Sequence, residues 1–96
     1  MRAEVTVPLT VRAETDGAAY LAAIKTEAAA SARLATTGRF GRRKARAEHQ
    51  TATEQARNVR SQVREVWGGE LPGTPESLPA WAVQAAALRA EADPRV

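Results

Sequence analysis

Large apolar side chains are scarce in this chain, and alanine stands in their place. Of the 96 residues, 22 are Ala, while Val, Leu, Ile, Met, Phe, Trp and Tyr together number 20. Leu, Ile, Val and Phe account for 16 of those, fewer than a self-sufficient core normally uses. A chain this short also buries a small share of its surface, so marginal stability or dependence on a partner is expected. Ala, Glu, Lys, Leu and Arg supply 51 residues, a composition typical of long helices or helical hairpins.

Several classes of protein are excluded at once. There is no Cys, which rules out disulfide frameworks, Cys-based zinc sites and thiol catalysis. The Ala-rich stretch at residues 17–35 contains Lys25, Glu27 and Arg33, so it does not span a membrane. The N-terminus alternates polar and apolar residues where a signal peptide needs a continuous apolar run. A cytoplasmic protein without membrane contact or cofactor is expected.

Charge is unevenly placed. Residues 1–38 carry four basic and four acidic side chains. Residues 39–67 carry eight basic (Arg39, Arg42, Arg43, Lys44, Arg46, Arg57, Arg60, Arg64) against three acidic, a net of +5, and residues 68–96 have a net of −2. The middle third is therefore strongly basic, although the whole chain is only +3. Twelve Arg against two Lys beside so much Ala is also what GC-rich coding produces, so Arg number alone is not evidence of phosphate contacts.

Along the chain, residues 2–13 alternate strictly. Ala3, Val5, Val7, Leu9, Val11 and Ala13 share one parity, with Arg2, Glu4, Thr6, Pro8, Thr10 and Arg12 on the other. This predicts an N-terminal extended strand over residues 1–14, with Pro8 confining it to an edge. No second strand is visible, so the strand would pair with another copy, giving a homodimer, or with another chain. A helical hairpin follows over residues 15–67. Asp16 is the expected N-cap of a helix over residues 17–37, with Tyr20, Leu21, Ile24, Ala28 and Leu34 as its apolar stripe. Gly38 suits the C′ position, and Gly38, Arg39, Phe40 and Gly41 form a tight basic turn. The second helix runs over residues 42–67 and stops at Gly68 and Gly69. Residues 68–78 are a Gly/Pro-rich linker, and residues 79–93 a short helix with Ser77 or Leu78 as cap, Pro79 at N1 and Pro94 as stop. Trp81, Ala85, Leu88 and Ala92 fall on one face of it. The fold class expected is mainly α: a long Ala-rich helical hairpin with an N-terminal extended strand and a short C-terminal helix.

The chemistry concentrates on the second helix. At about 100° per residue, Ala45, Ala52, Ala56, Val59, Val63 and Trp67 form a narrow packing face. Arg42, Arg57, Arg60 and Arg64 lie within about 40° of Arg46, with Arg43 slightly further round. This Arg ridge, with Arg39 and Lys44, is the candidate DNA-binding surface; its other reading is a solvated helix face. Phe40 is placed to stack on an unpaired base, and its commoner alternative is a staple that closes the turn. The GRFG turn matches the G-x-x-G of KH-type RNA binders, but that fold needs a three-stranded sheet that is absent here. Trp67 and Trp81 are expected to pack together and close the last helix onto the second. Tyr20 belongs to the core. His49 is the only His and has no metal-ligating partner at helical spacing, so it reads as solvent-facing. No P-loop, G-x-G-x-x-G or nucleophile–base arrangement is present, and no enzyme activity, catalytic residue or metal is expected.

Residues 56–96 carry V-R-x-x-W-G at 63–68, T-P-E-S-L-P-A-W-A at 74–82 and A-D-P-R-V at 92–96. On these runs the chain resembles a segment near the C-terminus of actinobacterial MobF-type conjugative relaxases, and residues 13–20, AETDGAAY, extend the likeness upstream. The resemblance implies a setting in plasmid transfer, with DNA, a relaxase or other transfer proteins as partners. That family nicks DNA with Tyr nucleophiles beside a His-held metal and drives a helicase through a P-loop. With one His and one Tyr, this chain lacks those sites and resembles only the non-catalytic helical tail. The function expected is a non-catalytic helical accessory associated with nucleic acid. The alternatives are a ribbon–helix–helix-like DNA-binding regulator, dimeric through its strands, and a protein-interaction module without nucleic acid.

Overall fold

The computed structural model describes residues 2–92, with side chains from Pro8 onward. Three helices follow one another: α1 (Arg2–Thr36), α2 (Arg42–Trp67) and α3 (Leu78–Ala92). The helical hairpin and the short last helix stand as expected, and the bounds of α2 are those read from the sequence. The expected stop of α3 at Pro94 lies outside the described residues.

The N-terminal strand expected over residues 1–14 is corrected. From Arg2 the backbone is already helical, and no strand occurs among the described residues. A lone strand leaves its ladder groups unpaired, whereas a helix satisfies its backbone within the segment. The alternation was ambiguous because Leu9 and Ala13 are also four residues apart, on one face of a helix. Val11 decides between the two readings. It is 60% exposed while Leu9 is half-buried and Ala13 is fully buried, a helical and not a two-residue periodicity. Pro8 lies inside α1 and removes one helical donor, and Thr15 donates its hydroxyl back to the Val11 carbonyl at 3.0 Å. With the strand goes the expected basis for homodimer pairing through it and for the ribbon–helix–helix alternative.

Asp16 is likewise not an N-cap, since α1 runs straight through it. Its carboxylate Oδ2 instead accepts the Trp67 Nε1–H at 2.8 Å, 51 residues away, and ties the end of α2 to the middle of α1. The Arg12 guanidinium lies 5.9 Å from the centre of the Trp67 ring, within cation–π range. Gly38 takes no left-handed conformation. The end of α1 is closed by Thr36, whose hydroxyl donates to the Ala32 and Arg33 carbonyls, and by Thr37, whose hydroxyl donates to Arg33. Left-handed glycines appear at the end of α2, where Gly68 (φ 67°, ψ 178°) donates its N–H to the Arg64 carbonyl at 2.8 Å.

Packing is carried by alanine. Among the described residues, nine of the twelve buried hydrophobic ones are Ala (Ala13, Ala23, Ala30, Ala45, Ala52, Ala56, Ala82, Ala85, Ala86), and the others are Tyr20, Val63 and Trp67. Ala28, expected in the α1 stripe, is exposed, and Ala23 and Ala30 take its place. On α3 the buried face is Ala82, Ala85 and Ala86; Leu88 is 56% exposed and Ala92 is also outside the core. Small faces let the helices approach closely over a long contact but add little to a central core. The molecule is correspondingly elongated, 60 × 23 × 17 Å, with a radius of gyration of 16.9 Å. A compact chain of this length would have about 12.5 Å.

The last helix does not close onto α2 as expected. It rests on the N-terminal half of α1, which packs against both other helices while α2 and α3 barely touch. Trp81 is packed against the cluster that contains Trp67, Ala13, Tyr20, Ala82 and Ala85, and its Nε1–H donates to the Glu70 carbonyl at 2.6 Å. A long link from α3 to α2 is the Arg89 guanidinium, which donates to the Val66 carbonyl at 3.2 Å.

Gly17 permits this seating. A Cβ there would lie 2.5 Å from Leu78 Cδ1 and 2.8 Å from Trp81 Cζ3. In an open helix Gly→Ala gains about 1 kcal/mol. Here the Leu78 methyl can rotate away, but the Trp81 ring is held by its bond to Glu70. Gly17→Ala is therefore expected to destabilise the protein by about 1–2 kcal/mol, read as a lower urea midpoint followed by circular dichroism. A midpoint equal to or above wild type would show that α3 is not seated on Gly17.

Candidate nucleic-acid interface

The site is built on α2. Its packing face is the one expected: Ala45, Ala52, Ala56, Val63 and Trp67 are buried and Val59 is half-buried. Beside that face the ridge stands in solvent. Arg42, Arg43, Lys44, Arg46, Arg57 and Arg64 are exposed, Arg60 is half-buried at the edge of the packing face, and Arg39 is exposed in the connection before the helix. At 1.5 Å per residue, Arg42 and Arg64 are about 33 Å apart along the axis. The ridge falls into a tip group around Arg42 and Arg46 and a second group from Arg57 to Arg64, with about 16 Å between Arg46 and Arg57.

None of these eight cations is paired with a carboxylate among the described residues. The ion pair that is present joins Arg33 of α1 to Glu48 at 2.8 Å. It occupies the acid nearest the tip and leaves the ridge uncompensated. A pair this exposed adds little stability, so its main effect on the ridge is electrostatic.

The first turn of α2 is unusual for a helix start. It contains no acid, its N-cap Gly41 offers no side chain, and Arg42, Arg43 and Lys44 sit at the positive end of the helix dipole. Each such cation costs a few tenths of a kcal/mol, so this end is held by the packing of Ala45 and Ala52, not by local electrostatics.

Phe40 is 102% exposed, which removes the expectation of an aromatic staple closing the turn. The turn closes on its backbone: Gly41 N–H donates to the Gly38 carbonyl at 3.2 Å, and Ala45 N–H to the Gly41 carbonyl at 3.0 Å. The sequence signal of a lone Phe between two Arg-flanked glycines did not reveal which way the ring would go.

Elsewhere the surface offers little chemistry. A cleft of about 540 Å³ lies between residues 68–73 and α3, lined by residues that include Glu70, Ser77, Trp81 and Gln84. No group of three His, Cys, Asp or Glu side chains comes together among the described residues, and His49 is half-buried beside Glu48. No described helix is long and apolar enough to cross a membrane. Compared with known proteins, the chain matches no family model, no curated protein and no solved structure.

Proposed function

We propose that this protein is a non-catalytic helical hairpin that binds nucleic acid through the phosphate backbone, using Arg39, Arg42, Arg43, Lys44, Arg46, Arg57, Arg60 and Arg64. The observation that carries the reading is a line of eight cations along one helix and its tip, none with a carboxylate partner among the described residues. Such a surface neutralises phosphates without reading bases, and its binding is sequence-independent and steeply sensitive to salt. The setting we propose is an accessory role in conjugative DNA processing, and the support for it is the likeness of residues 56–96 to the tail of MobF-type relaxases.

The test is fluorescence anisotropy of labelled single- and double-stranded DNA at about 50 and 200 mM salt. With four to eight phosphates neutralised, affinity for duplex is expected to fall by about a hundredfold to ten-thousandfold between those conditions. Absence of binding to either form at the lower salt would overturn the reading and direct the search to a protein partner for the same ridge.

A further inference from the structure

We infer that the tip of the hairpin recognises single-stranded nucleic acid, with the Phe40 ring as the platform on which one unpaired base stacks. The inference rests on the phosphate-binding reading above and adds the form of strand and the residue that selects it.

Phe40 contributes nothing to folding. Its side chain is wholly exposed, and the turn is closed by the Gly41 and Ala45 backbone donors without it. A large apolar ring held in water at the start of the basic helix packs against no other described residue and is open to a ligand. A Cβ at Gly38 would meet no atom within 4 Å, so that end of the turn is open. At Gly41 a Cβ would meet Thr37 Cγ2 at 2.8 Å, so this side of the turn is tightened by the absence of a side chain.

Along the chain Phe40 is next to Arg39 and is followed within four residues by Arg42, Arg43 and Lys44, all exposed. A strand whose phosphates engage those cations brings its bases to the ring. Stacking requires an open base face, and in a duplex both faces are already covered by neighbouring pairs. A ring inserted into a duplex must first unstack a step, a cost that a single strand does not carry. From the tip, a flexible strand can continue along α2 towards Arg57, Arg60 and Arg64. An anionic membrane is the less suitable occupant, because one ring is a small apolar anchor and the second Arg group lies beyond a Debye length from a surface touching the tip.

The experiment compares wild type, Phe40→Ala and Phe40→Trp on a labelled single-stranded oligodeoxynucleotide, on its duplex, and on vesicles containing an anionic lipid. Circular dichroism is expected to be the same for all three proteins, since Phe40 packs against nothing. Phe40→Ala is expected to weaken single-strand binding by about 5- to 150-fold, to leave duplex binding within about twofold, and to leave the salt slope unchanged. Phe40→Trp is expected to restore binding. Equal losses on single strand and duplex, no loss on either, or a Phe40-dependent association confined to vesicles would each overturn the inference. If wild type binds DNA but Phe40→Ala does not change it, stacking fails and phosphate binding stands. If wild type binds no DNA at low salt, the phosphate-binding reading fails and takes stacking with it.

Discussion

Trp67→Ala is expected to leave the chain largely unfolded at room temperature. Among the described residues Trp67 is the largest of the buried apolar side chains, and it is 4% exposed. Truncating a buried Trp typically costs about 3–5 kcal/mol, through lost transfer energy and the cavity left behind. Two further losses add to it here. The Asp16 carboxylate loses the indole N–H it accepts, and the Arg12 guanidinium loses its ring. A chain of this length has a stability on the order of 5 kcal/mol at the low end of the usual range, and an Ala-packed core places it there. Urea denaturation followed by circular dichroism would check this, with Trp67→Phe beside it. The Phe variant keeps most of the apolar volume and removes the hydrogen bond, so it isolates the Asp16 contact, at about 1–2 kcal/mol. A cooperative Trp67→Ala transition within about 1 kcal/mol of wild type would show that the α1–α2 contact does not depend on this anchor.

The second large effect is on binding. Changing Arg42, Arg43, Lys44 and Arg46 together to Ala removes half of the eight cations of the ridge. If all four engage phosphates, the salt slope on duplex DNA becomes shallower by about 3.6 and affinity at about 50 mM salt falls a hundredfold or more. Stability is expected to move the other way. The substitutions remove three cations from the positive end of the α2 dipole and introduce the best helix former, so the melting temperature should hold or rise. This opposition separates a lost contact from a lost fold. A variant that binds as wild type does would reduce the ridge to a solvated face.

The two halves of the chain differed in how plainly they could be read. The limits of α2 were legible because its signals are local. Gly41 precedes it, Gly68 and Gly69 end it, and Ala45, Ala52, Ala56, Val63 and Trp67 repeat with helical spacing. The ridge was legible for the same reason: residues three, four, seven and eleven apart share a face whatever the helix packs against. Residues 2–13 were not legible, because β-branched residues at alternate positions favour a strand locally. A helix there is favoured only once α3 is available to cover Leu9 and Ala13, and that helix lies about 70 residues further along the chain. Asp16 shows the same limit. Before an Ala-rich helix it has every mark of a cap, and its real partner is an indole 51 residues away.

Sequence alone determined that this protein is helical, that its basic charge gathers on one helix and the turn before it, and that its core would be poor in large side chains. Composition, spacing and charge order are properties of the chain itself, and they survive any arrangement of the helices. Tertiary structure decided that α3 lies on α1 and not on α2, that Gly17 is the point of close approach, and that Phe40 faces water while Trp67 does not. Those outcomes depend on which surfaces meet. When most of the buried apolar positions are alanine, several pairings are nearly equivalent locally, and the few large side chains and one part-buried hydrogen bond select among them.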